Sequence, residues 1–115
     1  FYRVIWNAHV PEWTDLEPVQ RSQIMQTVAK VETVLRTSLQ PTKINLASLG
    51  NVVPHLHWHV IARFDWDSHF PQAVWGAKQR DVADAQARLG LSLRELDARV
   101  AGALGGLVPP APLAD

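Results

Sequence analysis

The chain has 115 residues, 47% of them hydrophobic and 19% charged, enough for one domain with a modest core and unlike a disordered chain. Eleven Lys and Arg balance eleven Asp and Glu, and the balance holds along the chain, which argues against a tract that follows a nucleic-acid backbone. Cysteine is absent, which excludes disulfides, thiolate zinc sites and cysteine nucleophiles. No apolar run approaches the roughly 18 residues of a membrane span, and no signal-peptide pattern is visible, so a cytoplasmic protein with no membrane partner is expected.

Phe1 to Trp6 is β-prone and aromatic, and the sequence opens in mid-strand, so further strands are expected upstream. Asn7 to Trp13 reads as a loop carrying His9 and Pro11. A long helix follows. Thr14-Asp15-Leu16-Glu17 matches a capping box, and Glu17-Pro18 offers a second start with Pro18 at the first helical position. Ile24, Val28, Val31 and Leu35 recur at helical spacing and define one buried face. Pro41 stops the helix.

Thr42 to Leu49 reads as a second strand, and Gly50-Asn51 as a turn. After Pro54, residues 55–64 form the clearest strand, antiparallel to the second across a tight connection. Asp65 to Gly76 is loop-like and rich in aromatics: Trp66, His69, Phe70 and Trp75. Residues 77–89 are Ala-rich and read as weakly helical. Ser92-Leu93-Arg94-Glu95 is a further capping box, opening a helix with Leu93, Leu96, Val100 and Leu104 on one side and Gly105-Gly106 at its end. Residues 1–106 are expected to form a single domain, and 107–115 a Pro-rich extended or disordered tail. The order β–α–β–β–α predicts an α+β fold, an antiparallel sheet with one long helix and a C-terminal helix packed on it.

His55, His57 and His59 alternate with Leu56, Trp58 and Val60. Strand side chains repeat every two residues, so the three imidazoles share one face and the apolar residues the other. Three readings follow. One is a solvated row with no chemistry. The second is a metal site, since His-x-His on a strand is a common ligand pair. However, His55 and His59 lie roughly 13 Å apart along a straight strand, too far to share one ion easily, and a further ligand would have to come from His9 or His69. The third is nucleophilic catalysis. A neutral imidazole can attack an electrophilic phosphorus, and flanking histidines can donate hydrogen bonds to phosphate oxygens and the leaving group. His57 is the natural nucleophile, because it alone has a histidine on both sides.

The segment His55-Leu56-His57-Trp58-His59-Val60-Ile61 resembles His-φ-His-φ-His-φ-φ, where φ is apolar, the signature of the histidine triad (HIT) superfamily. The likeness extends over roughly residues 1–76, and Phe70-Pro71 with Val74-Trp75-Gly76 is similar to the short bacterial HIT hydrolases. The resemblance implies a nucleotide hydrolase or transferase acting at the α-phosphate, with His57 forming a covalent nucleotidyl intermediate. It implies that His59 bonds phosphate oxygens, that His9 helps orient the network, and that His55 assists at the phosphate while its carbonyl holds the His57 tautomer. Asn45 and Gly50-Asn51-Val52-Val53 fall where the family contacts the nucleotide, with the Asn51 amide and the Val53 N–H as donors. This turn lacks the hydroxyl of the phosphoramidase branch, which favours the dinucleoside polyphosphate hydrolases. A diadenosine polyphosphate is thus the expected substrate. A nucleoside phosphoramidase and a regulatory nucleotide-binding protein with little turnover are the alternatives. The mechanism requires no metal cofactor, although a polyphosphate substrate often carries magnesium. The family usually forms a homodimer with one continuous sheet.

Three further residues have two readings each. Trp75 either reaches a nucleotide pocket or packs. Asn45 either bonds ribose or phosphate or satisfies the backbone. Arg63 shares the histidine face by parity and either faces phosphate or pairs with Asp65 or Asp67. His69 is expected to be structural in its loop.

Overall fold

The computed structural model describes residues 1–105. Glu17 and Pro18 start the long helix. Strand β1 (Tyr2–Ile5) leads through a short 3₁₀ turn at Trp13–Asp15 into helix α1 (Pro18–Leu39). The Glu17 backbone N–H donates to the Gln20 side chain at 2.8 Å, and the Glu17 side chain caps the first turn in return. The box expected at Thr14 does not form, because Thr14 and Asp15 are used by the 3₁₀ turn, whose cap is Glu12. At the other end Gln40 takes a left-handed conformation just before Pro41, and its N–H bonds the Arg36 carbonyl.

Strand β2 (Lys43–Ala47) and strand β3 (His57–Arg63) complete a sheet of order β1-β3-β2, antiparallel at both junctions. Two expectations need correction. The β2–β3 connection is the long segment 48–56, not a tight turn. The third strand begins at His57 rather than His55. Pro54 has no N–H to give a ladder, the His55 N–H turns back to the Val53 carbonyl, and the Leu56 N–H bonds Val10 in the opposite loop. Only a 3₁₀ turn at Ala85–Leu89 forms in the Ala-rich stretch. Helix α2 (Leu93–Ala103) starts at Ser92, whose hydroxyl accepts the Glu95 N–H. The proposed tail at 107–115 lies outside the described residues.

Register separates the sheet into two faces. Opposed residues in an antiparallel pair point the same way. Tyr2 opposite Val60, Val4 opposite Trp58, and Ile44 opposite Ala62 form one face. It packs on Val28, Val31 and Leu35 of α1 and on Leu96 and Val100 of α2. A second cluster of Leu16, Ile24 and Leu56 closes the end near Trp13 and Trp58. Each such fully buried aliphatic side chain contributes about 1.5–3 kcal/mol. The other face carries Ile5 opposite His57, Arg3 and Ala47 opposite His59, and Lys43 opposite Arg63. Among the described residues, what meets it is loop: Leu49 to Val53 after β2, and Gln72 and Trp75 after β3.

Candidate active site

The histidine face is not a solvated row. His57 is 3% exposed and His59 2%, so burial demands partners for their ring nitrogens. The His57 Nδ1–H donates to the His55 carbonyl at 2.6 Å. A carbonyl only accepts, so Nδ1 carries the proton and Nε2 keeps the lone pair of the neutral ring. The His57 carbonyl itself accepts from the Ser48 hydroxyl at 2.8 Å, which ties the start of β3 to the end of β2. The His59 Nδ1–H points to the Ala47 carbonyl at 3.3 Å. The His57 and His59 rings meet edge to face, with centroids 5.0 Å apart.

His55 sits before the ladder and behaves differently. Its Nε2–H donates to the Trp6 carbonyl, which leaves Nδ1 as the acceptor for the His9 Nδ1–H at 3.1 Å. The His9 and His55 rings are tilted at a centroid distance of 5.2 Å. The structure thus brings all four histidines of the sequence reading into one chain of contacts, as two pairs joined through the His55 carbonyl.

A cleft of about 220 Å³ opens over the second pair, lined by Leu49, Gly50, Asn51, Val52, Val53, His57, His59 and Trp75. Asn51, Val53 and Trp75 are therefore beside the histidines, as their selection implied. The Trp75 indole meets His59 edge-on at 5.1 Å and is 54% exposed, so it forms a wall and not a core contact. Gly50 makes the fold of this rim possible. Its φ is +107°, and a Cβ there would lie 3.1 Å from the Val53 carbonyl oxygen.

Asn45 and Arg63 are placed elsewhere. Arg63 is 2% exposed, with Nε and Nη2 on the two Asp67 carboxylate oxygens at 2.9 and 3.1 Å. Its Nη1 donates to Asn45 Oδ1 at 2.9 Å, and Nη2 also donates to the Gln72 carbonyl at 2.7 Å. The ion-pair reading with Asp67 holds, and the guanidinium is committed to protein groups rather than to the cleft. Burial alone would raise the Asp67 carboxyl. Arg63 and the N–H groups of Phe64, His69 and Phe70 outweigh it and hold the group well below the ordinary carboxylate range. His69 bonds the Ser68 hydroxyl at 2.8 Å, a structural place in its loop.

Sequence reasoning missed Ser48 and Leu49. Nothing in a Ser or an aliphatic residue near a turn marks it as a support or a cleft wall. Among the described residues, no group of three or more His, Asp or Glu side chains is placed to hold a metal ion. Among them also, no helix is long and apolar enough to cross a membrane.

A HIT domain profile matches residues 1–66, more than half of the chain. Three solved structures are similar. A histidine triad protein of Bradyrhizobium japonicum is 30% identical, over 90% of this chain and 72% of its own, with a TM-score of 0.66. One of Sinorhizobium meliloti is 29% identical, over 88% and 69%, with a TM-score of 0.64. One of Marinobacter aquaeolei is 25% identical, over 92% and 74%, with a TM-score of 0.69. No match was found among curated proteins. The triad, its fold and these matches agree: the chain belongs to the HIT domain superfamily, whose membership implies a nucleotide-binding hydrolase or transferase.

Proposed function

We propose that the chain cleaves a nucleotide derivative at its α-phosphate through a covalent intermediate on His57. The observation that carries this reading is the His57 Nδ1–H bond to the His55 carbonyl, which leaves Nε2 as the nucleophilic nitrogen of a ring that lines the cleft. The Nε2 lone pair attacks phosphorus, the N–P bond forms, and the bond to the leaving group breaks with its electron pair. Attack makes the imidazole cationic, and the His55 carbonyl dipole stabilises that charge. Water then attacks the same phosphorus, the N–P bond returns its electrons to Nε2, and the nucleoside monophosphate leaves. His59, beside His57, has its Nδ1–H turned to the Ala47 carbonyl, so it bonds phosphate oxygens through Nε2–H in its doubly protonated form. His9 and His55 orient the network from its other end.

A diadenosine polyphosphate, with magnesium as part of the substrate, is the first substrate class. Adenosine phosphoramidate is the second, and a specific observation favours it. Among the described residues none lining the cleft is a lysine or arginine. Such a cleft suits a leaving group of little charge. A homodimer is proposed from the family resemblance, and the exposed Leu46 on the edge strand β2 supports pairing there. Light scattering at micromolar concentration should give twice the chain mass. Hydrolysis of diadenosine tetraphosphate and adenosine phosphoramidate, compared side by side, ranks the two substrates. His57→Ala should lose at least a thousandfold in kcat while keeping its circular dichroism, and mass spectrometry of the quenched wild type should find a nucleotide on His57. Unchanged turnover in the variant would remove His57 as nucleophile.

A further inference from the structure

The long stretch between β3 and the 3₁₀ turn at Ala85 has no helix or strand, yet it delivers Trp75 to a defined place beside His59. Loops of this length inside a compact domain are usually functional, and something must order them. Two clamps do so here. The first is Arg63, at the end of β3, which grips Asp67 with two donors and the Gln72 carbonyl with a third bond. Asp67 in turn accepts the N–H groups of Phe64, His69 and Phe70, so one carboxylate sets the whole turn. The second clamp closes the far side. The N–H groups of Gln79 and Arg80 donate to the Ser68 carbonyl at 2.7 and 3.1 Å, and the Arg80 side chain donates to the Asp67 and Phe70 carbonyls. Trp75 lies on the segment between Gln72 and Gln79, held at both ends by the turn that Asp67 organises.

We propose that Arg63 and Asp67 are positioning residues for the cleft: the pair fixes the segment that presents Trp75 edge-on to His59, and so sets how tightly the cleft holds its nucleotide. This deepens the nucleotide reading of the cleft and rests on it. Arg63 acts from the end of β3 and Trp75 from the rim of the cleft, and the loop that the Arg63–Asp67 pair orders runs between them. Removing the carboxylate charge leaves the histidines, the β3 ladder and the helix layer in place. The effect should therefore fall on binding more than on the chemical step.

The test uses the full chain labelled with 5-fluorotryptophan, with the Trp75 fluorine resonance assigned through Trp75→Phe. In Asp67→Asn that resonance should shift and broaden, while the Trp58 resonance, from the core face, stays put. KM for adenosine phosphoramidate should rise about tenfold with kcat within twofold. In a Trp75→Phe background, Asp67→Asn should change KM little, because the shared element is already gone. Arg80→Ala releases the same turn from its exposed side and should move the Trp75 resonance in the same direction, so the proposal remains open to refutation if Asp67→Asn fails to fold. An unmoved Trp75 resonance in both variants, or KM effects of Asp67→Asn and Trp75→Phe that simply multiply, would overturn it. The fluorine spectrum needs no turnover. A chain that hydrolyses no nucleotide derivative but shows the shift would remove the functional reading and leave the positioning of Trp75 standing.

Discussion

At the scale of single residues, the site depends on backbone carbonyls as much as on imidazoles. The His55 carbonyl fixes the proton of His57, the Trp6 carbonyl that of His55, and the Ala47 carbonyl approaches that of His59. Each bond chooses a tautomer, and the tautomer decides which nitrogen faces phosphorus. The backbone itself is shaped by one residue that offers no side chain. Gly50 has φ +107°, and any Cβ would crowd the Val53 carbonyl. Gly50→Ala should cost about 1–3 kcal/mol of stability, read from denaturant unfolding. Because Gly50 to Val53 line the cleft, the same variant should also lower kcat/KM. A variant as stable and as active as the wild type would show that the rim tolerates another path.

At the scale of elements, the two helices begin by the same device with different chemistry. Glu17 and Gln20 cap α1 reciprocally, and the Ser92 hydroxyl caps α2. Ser92→Ala should destabilise the chain by about 1 kcal/mol, and Ser92→Gly by a few tenths. Thermal melts of the two variants distinguish a capping role from a packing role, in which Gly would be the worse replacement. These helices were legible because period and caps are local signals: the stripe Ile24–Leu35 is buried as its spacing requires, and of the second stripe Leu96 and Val100 are buried, whereas Leu93, in the first turn of α2, is exposed. The shared face of His57, His59 and Arg63 was legible for the same reason. The environment of that face was not. Parity places Arg63 beside the histidines but cannot say whether its donors meet phosphate or Asp67, since that depends on a loop with no periodicity. Nor can alternation tell that His55 stands outside the ladder. Pro54 was the only local hint, through its missing N–H.

At the scale of the whole molecule, the sheet divides stability from chemistry. One face is apolar and sealed by both helices; the other is polar, and the Arg63–Asp67 pair organises part of the loop layer over it. The two layers should answer acid differently. In the acid range no aliphatic side chain of the first layer titrates, and burial keeps the Tyr2 hydroxyl on that face protonated. Asp67 does titrate in that range, and its carboxyl is held well below the ordinary carboxylate range. A group whose pKa is lowered on folding binds its proton more readily when unfolded, so its contribution is complete above about pH 4 and is lost as pH falls through the folded value. Asp67→Asn removes that dependence. Unfolding free energies of wild type and Asp67→Asn should therefore differ by a constant amount between pH 5 and pH 8 and converge as pH drops below ~4. A gap that stays constant to pH 2, or that widens with acid, would mean that Asp67 is not the group through which acid loosens this face. Convergence would show that the polar layer is held by a charge pair, while the apolar layer beneath it keeps the sheet folded.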